Sequence, residues 1–254
     1  MEKPFLLDFD ANQHAVLDPG HKSAKLHYHF PKKLLFAFIT TDAIQNFLRQ
    51  YPHQVVGIFK CFMGETEIYE VELAHEKITF CQALMGASSA VQLLDWTISY
   101  GVQQILAVGS AGVLSKIPEN YFLVPTKAIR DEGTSFHYAA PANIIDLQSD
   151  YLTSVEKLMV ENKLKVKEVM TWSTDGFFRE TAKKVAQFKK LGASCVEMEC
   201  AALAACAQFR HADFAQILFT ADSLSTTSGH EDRGWGRDAH GQALALAAAI
   251  MDQI

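Results

Sequence analysis

The chain has 254 residues, 49% hydrophobic and 20% charged, enough for one large domain with a substantial core. A net charge of −6 with no Lys/Arg-rich stretch argues against nucleic acid and anionic membrane as partners, and the longest apolar run, ALALAAAI (243–250), is too short to span a bilayer. The 5 cysteines are odd in number, lie in apolar runs and lack C-x-x-C spacing, so no disulfide framework or metal site is expected; they read as buried thiols of a cytoplasmic protein.

Residues 1–30 are polar and His-rich, with a DPG turn and no periodicity, and are expected to form an irregular arm ahead of a domain spanning 31–254. LLFAFIT (34–40) reads as a buried strand and TDAIQNFLRQ (41–50) as a short helix capped by Thr41 or Asp42. Three strands follow, VVGIFKCFM, TEIYEVEL and KITFCQAL, with turns at GET (64–66) and AHEK (74–77). The chain then alternates. A helix over 89–100 precedes strands QILAVG and YFLVPTKAI, after which helix DYLTSVEKLMVENK, strand KEVMTWST, helix ETAKKVAQFKKL, strand SCVEM, helix CAALAACAQF, strand FAQILFTA and a helix over 237–251 follow. A meander followed by alternating units predicts an α/β fold, one domain with a mixed central sheet flanked by helices.

In open α/β sheets ligands bind where strands end and helices begin, because loops converge there and helix N-termini offer free N–H groups. Five such junctions carry polar or small residues: ALMGASSAV (83–91), AVGSAGVL (107–114), WSTDGFFRET (172–181), VEMECAAL (196–203) and FTADSL (219–224). Glu197 and Glu199 suit the first turn of a helix, where acidic groups gain about 0.3–1 kcal/mol. If strand SCVEM runs on to Glu199, both carboxylates face the crevice while Met198 faces away; if the helix starts earlier, they diverge. Asp222 reads as an N-cap followed by Ser223, and Phe177 and Phe178 as core. His27 and His29 alternate in HYHF without a third ligand at metal spacing, and His137 reads as a structural hydrogen-bonder. No G-x-S-x-G, P-loop or G-x-G-x-x-G motif occurs.

Taken in order, these junctions resemble the nucleoside phosphorylase family, which includes purine nucleoside phosphorylases, uridine phosphorylases and methylthioadenosine nucleosidases. VEMECAALAACA is similar to its V-E-M-E helix opening, VGSAGVL to its G-[TS]-x-G turn, ALMGASSAV to its phosphate loop, TDGFF to S-[ST]-D-x-F-Y and FTADSL to its [VI]-S-D segment, while VPTKAIRDEGTSFHY (124–138) resembles the uridine phosphorylase branch. The resemblance implies cleavage of the N-glycosidic bond of a nucleoside by phosphorolysis, with purines slightly preferred over uridine, inorganic phosphate as co-substrate and no cofactor. As that bond breaks, the sugar becomes an oxocarbenium ion and the base leaves with negative charge, so both must be stabilised. Carried over by position, Glu199 holds the ribose hydroxyls with Met198 against the sugar and Glu197 nearby. Phe177 lies on the base and Asp222 protonates it; Ser110, Gly109 and Gly86 hold phosphate, and Arg179 is a base-contact candidate. The family also implies a homo-oligomer, a dimer or trimer of dimers, with the His-rich arm as a contribution to a neighbour's site.

The chain departs from the family where phosphate is concerned. FITTDAIQNF (38–47) stands where the family has G-D-P-x-R, and Ala107 where it has a second arginine. Each lost charged contact forfeits about 1.5–3 kcal/mol. Lys60, Arg130 and Arg179 are the candidate substitutes. Hydrolysis by water and a non-catalytic nucleoside-binding role are therefore the alternatives.

Overall fold

The computed structural model describes residues 3–20, 27–62, 64–162, 164, 166–226 and 229–254. Ten strands form one mixed sheet. The first half is β1 (Lys33–Phe38), helix α1 (Thr41–Leu48), the meander β2 (His53–Cys61), β3 (Gly64–Glu72) and β4 (Lys77–Gln82), then α2 (Ala87–Ser99). Next come β5 (Gln104–Val113), β6 (Phe122–Asp131), β7 (Ile144–Asp146), α3 (Asp150–Glu161), β8 (Glu168–Thr174), α4 (Ala182–Lys190), β9 (Ala193–Glu197), α5 (Cys200–Phe209), β10 (Asp213–Ser223) and α6 (His240–Met251).

Along the sheet the order is β10-β6-β8-β9-β5-β1-β4-β3-β2, and β10 also pairs with β5. Five strands therefore close on themselves, while β1, β4, β3 and β2 extend as an open wing. β5 belongs to both parts: Leu35 pairs with Leu106 in parallel on one side, Ala215 with Leu106 on the other, and Gly112 meets Val196 antiparallel at its far end. α5 and α6 are apolar all round and rich in alanine, which suits them to burial in the main core. α1 and α4 have one buried face each.

Several local expectations are corrected. GSAG lies inside β5 rather than in a turn after it, because parallel pairing with β10 continues through Phe219↔Ser110 and Thr220↔Ala111. Gly109 fits there because a Cβ would stand 2.9 Å from the Phe38 Cβ. Gly64–Thr66 already belong to β3, since Cys61 pairs with Gly64 and the reversal sits just before it; Met63 lies outside the described residues. The N-cap of α1 is Thr40, ahead of the expected Thr41 or Asp42, and its side chain makes no capping bond. Cys61 is exposed at the tip of the hairpin, whereas the other four thiols are buried. Of the arm, residues 21–26 lie outside the described residues, while Tyr28 and Phe30 pack with Trp96 and Tyr100. His27 and His29, between and beside them, are exposed, as is His137.

Candidate active site

The strand ends bring the five junctions together through contacts that can be traced one by one. β9 stops at Glu197 and α5 starts at Cys200, so the two carboxyls diverge. Glu197 turns back on its own helix: one oxygen accepts the N–H of Glu199 (2.8 Å) and Cys200 (2.6 Å), the other the hydroxyls of Ser173 (2.6 Å) and Thr171 (3.3 Å). Expected beside the sugar, Glu197 instead spends its acceptors on shaping the helix mouth. Glu199 reaches across to the first junction, where its Oε1 accepts the Gly86 N–H at 2.6 Å. Gly86 has φ of 90°, a left-handed setting that a side chain would strain, and it precedes α2. Met198, between the two glutamates, is half-buried.

Burial raises both carboxyls. Glu197 has four donors to offset it. Glu199 has fewer, and it feels Glu197 as well as Asp175, so burial first and Glu197 second push it up to about 8. Asp175 joins the third junction to β6 by accepting the Gly133 N–H at 2.8 Å. Beyond it lies Glu132, 5% exposed, with Oε2 on the Ser135 N–H and Oε1 without a partner among the described residues. One end of the crevice is thus built from carboxyl groups.

The other end is built around Asp222, 7% exposed on β10. Gly112 leaves room for it: a Cβ there would lie 2.9 Å from Asp222 Oδ1, which ties the second junction to the fifth. Asp222 Oδ2 is 2.9 Å from His230 Nε2. Glu180, just after the short 3-10 turn Phe177–Arg179, faces both; burial, then Asp222, raise it to about 7, while His230 pulls the other way. The His230 ring lies 5.3 Å from Trp235, and Trp235 lies 6.2 Å from Phe177. Phe178, read as core, is 92% exposed, and Phe177, which the resemblance sets against the base, is 40% exposed, because the turn that carries them leaves the sheet at the end of β8.

His230, Trp235 and Glu180 do not stand out in the sequence. The loop after β10 returns to the sheet edge, where Ser223 and Glu231 exchange two backbone hydrogen bonds (2.8 and 3.1 Å). It then makes a left-handed turn, with φ of 45°, 59°, 57° and 64° at Arg233, Gly234, Trp235 and Gly236. The signal that points to it is GWG itself, two glycines bracketing a tryptophan in a loop.

The phosphate candidates fare differently. Ser110 is exposed and its hydroxyl makes no hydrogen bond among the described residues. Arg130 is buried and fully engaged, with Nε on the Ser135 hydroxyl and its two terminal nitrogens on the carbonyls of Ala140 and Ala139. Lys60 pairs with Glu65 on the β2–β3 hairpin, Arg179 is exposed beside Phe177, and Ala107 is sealed in the core.

A family model described as the phosphorylase superfamily matches residues 40–254. The chain belongs to that superfamily. Among solved structures, this superfamily member is similar to uridine phosphorylase from Vibrio fischeri ES114, at 19% identity, with 88% of this chain and 92% of that one covered and a TM-score of 0.72. It is also similar to the 5'-methylthioadenosine/S-adenosyl homocysteine nucleosidase of Campylobacter jejuni (14%, covering 88% and 99%, TM-score 0.70). A third likeness is AMP nucleosidase from Bacteroides thetaiotaomicron (16%, 88% of each chain, TM-score 0.68). These likenesses establish the fold, and the superfamily comprises phosphorylases and hydrolases that cleave glycosyl bonds. Among curated proteins none matches the chain by sequence.

Proposed function

We propose that this protein cleaves the N-glycosidic bond of a nucleoside with water as the acceptor. The observation that carries the choice of water is the 2.6 Å bond from the Gly86 amide to Glu199. The N–H that the family resemblance assigns to phosphate is satisfied by a carboxyl group, and Arg130 is committed to backbone carbonyls. Buried Glu199 keeps its proton to about pH 8, so it offers a phosphate dianion no positive charge in place of the family's arginines, and Asp175 nearby opposes a second negative charge. In this reading Glu199 and Met198 hold the sugar, with Glu199 on the ribose hydroxyls, and Phe177 and Trp235 pack on the base. Asp222 protonates the leaving base, with a slight preference for purines.

Water then adds to the oxocarbenium carbon and loses one proton, while the base gains one; the sum is one water consumed per bond broken. The protein needs no cofactor in this scheme, and a homo-oligomer remains the assembly we propose.

Phosphorolysis is the second reading, and one observation favours it. A groove of about 400 Å³ between α1 and α6 is lined by Thr40, Asp42, Asn46, Arg237 and His240, within and beside the segment that stands where the family has G-D-P-x-R. Arg237 makes no hydrogen bond or ion pair among the described residues. Incubating the protein with inosine, adenosine and uridine, with and without phosphate, separates the readings. Free base at equal rates in both supports hydrolysis, and strict dependence on phosphate that is lost in Arg237→Ala supports phosphorolysis. Nucleoside binding without base release under either condition rejects both in favour of a sensor.

A further inference from the structure

Asp222 faces a supply problem. An acid that protonates a leaving base must regain its proton each turnover, yet the Asp222 side chain is only 10% exposed. Its hydrogen-bond partner His230 is 43% exposed at the side chain and so touches both the buried acid and the surface. The placement of that imidazole is specific: the Ser223–Glu231 bridge fixes the backbone next to it, and the Trp235 ring, held out by the left-handed turn, packs against it. We infer, building on the nucleoside-cleaving reading above, that His230 is a relay residue that carries protons from bulk water to Asp222.

The step balances as follows. The C–N bond breaks with its electron pair going to the base nitrogen, which takes the proton from the Asp222 carboxyl. The resulting carboxylate draws the proton from Nε2 of a cationic His230, and the neutral imidazole recovers one from solvent. The charged and titratable groups around His230 are Asp222 from β10, Glu180 from the Phe177 turn and its own neighbour Glu231, which Arg233 pairs at 3.4 Å. Glu180 keeps its proton up to about pH 7 and carries negative charge only above that.

The test uses two variants and two leaving groups. His230→Gln keeps an N–H for Asp222 but transfers no proton, and His230→Ala opens a space for imidazole. A purine nucleoside requires base protonation, whereas the para-nitrophenolate of a para-nitrophenyl riboside departs without it. On the nucleoside, kcat of His230→Gln is expected to fall about 10²-fold with KM little changed, with less than about threefold loss on the nitrophenyl riboside. Added imidazole should restore His230→Ala on the nucleoside, the more so as pH falls and the imidazolium fraction grows. Equal losses on both substrates, or wild-type rates in His230→Gln on the nucleoside, overturn the relay. A wild-type protein that cleaves the nitrophenyl riboside but no nucleoside overturns the functional reading, and the relay with it.

Discussion

The two ends of the crevice are built in opposite ways. At the Glu199 end three carboxyl groups are each held by backbone amides or hydroxyls: Glu197 by four donors, Glu199 by the Gly86 amide, Asp175 by the Gly133 amide. At the Asp222 end only Asp222 sits on a strand; Glu180, Phe177, His230 and Trp235 all ride on loops. In the nucleoside-cleaving reading we propose, a scaffolded half suits the part common to all nucleosides, the pentose, while a loop-built half suits the part that varies, the base. Loops change at little cost to the fold, so this division lets one sheet serve several bases.

The sharpest break of the comparison is Asp222→Asn, which keeps the shape and removes the acid. Turnover of a purine nucleoside should drop about 10²–10⁴-fold while the melting temperature stays near that of the wild type, read by initial rates and thermal unfolding on one preparation. Glu197→Ala probes the opposite half. It strips acceptors from two buried amides and two hydroxyls, so urea unfolding should show a loss of about 2–4 kcal/mol, with failure to fold as its extreme; a loss below about 1 kcal/mol contradicts the pinned description. Trp235→Ala should act on binding, raising KM about 10-fold with little change in stability, since the ring is 46% exposed and alanine keeps the Cβ that makes the left-handed setting costly.

The last test is on the pH dependence of stability. The folded Glu199 holds its proton to about pH 8 against an ordinary value of 4.5. Between those values the native state binds the proton and the unfolded chain does not, so this residue makes stability fall as pH rises across that window. Glu199→Gln removes the titration. Its melting temperature should fall less between pH 5 and pH 8 than that of the wild type, and an identical slope in both proteins counts against a buried protonated carboxyl.

How far the sequence foretold this depends on how local each determinant is. The start of α5 at Cys200 follows from CAALAACAQF, an uninterrupted run of small and apolar residues, and Glu199 is legible because it directly precedes it. The destination of Glu199, an amide 113 positions earlier, is not written locally. GSAG reads as a turn because glycines punctuate chains, yet the pairing of β5 with β10 overrides that tendency. Arg130 reads as a free cation in IRDEG, but the 3-10 turn after it folds Ser135, Ala139 and Ala140 onto its guanidinium. His230 reaches Asp222 only because the loop doubles back, and no periodicity announces such a return.

β5 makes the geometry of both halves interdependent. Its ten residues are the common ruler against which β1, β9 and β10 are indexed, and the small residues at 109 and 112 mark where Phe38 and Asp222 fit. Inserting or deleting a single position within 104–113 would turn every later side chain to the reverse surface. Evolution can therefore rewrite the surrounding loops freely, but this one strand has to keep its length.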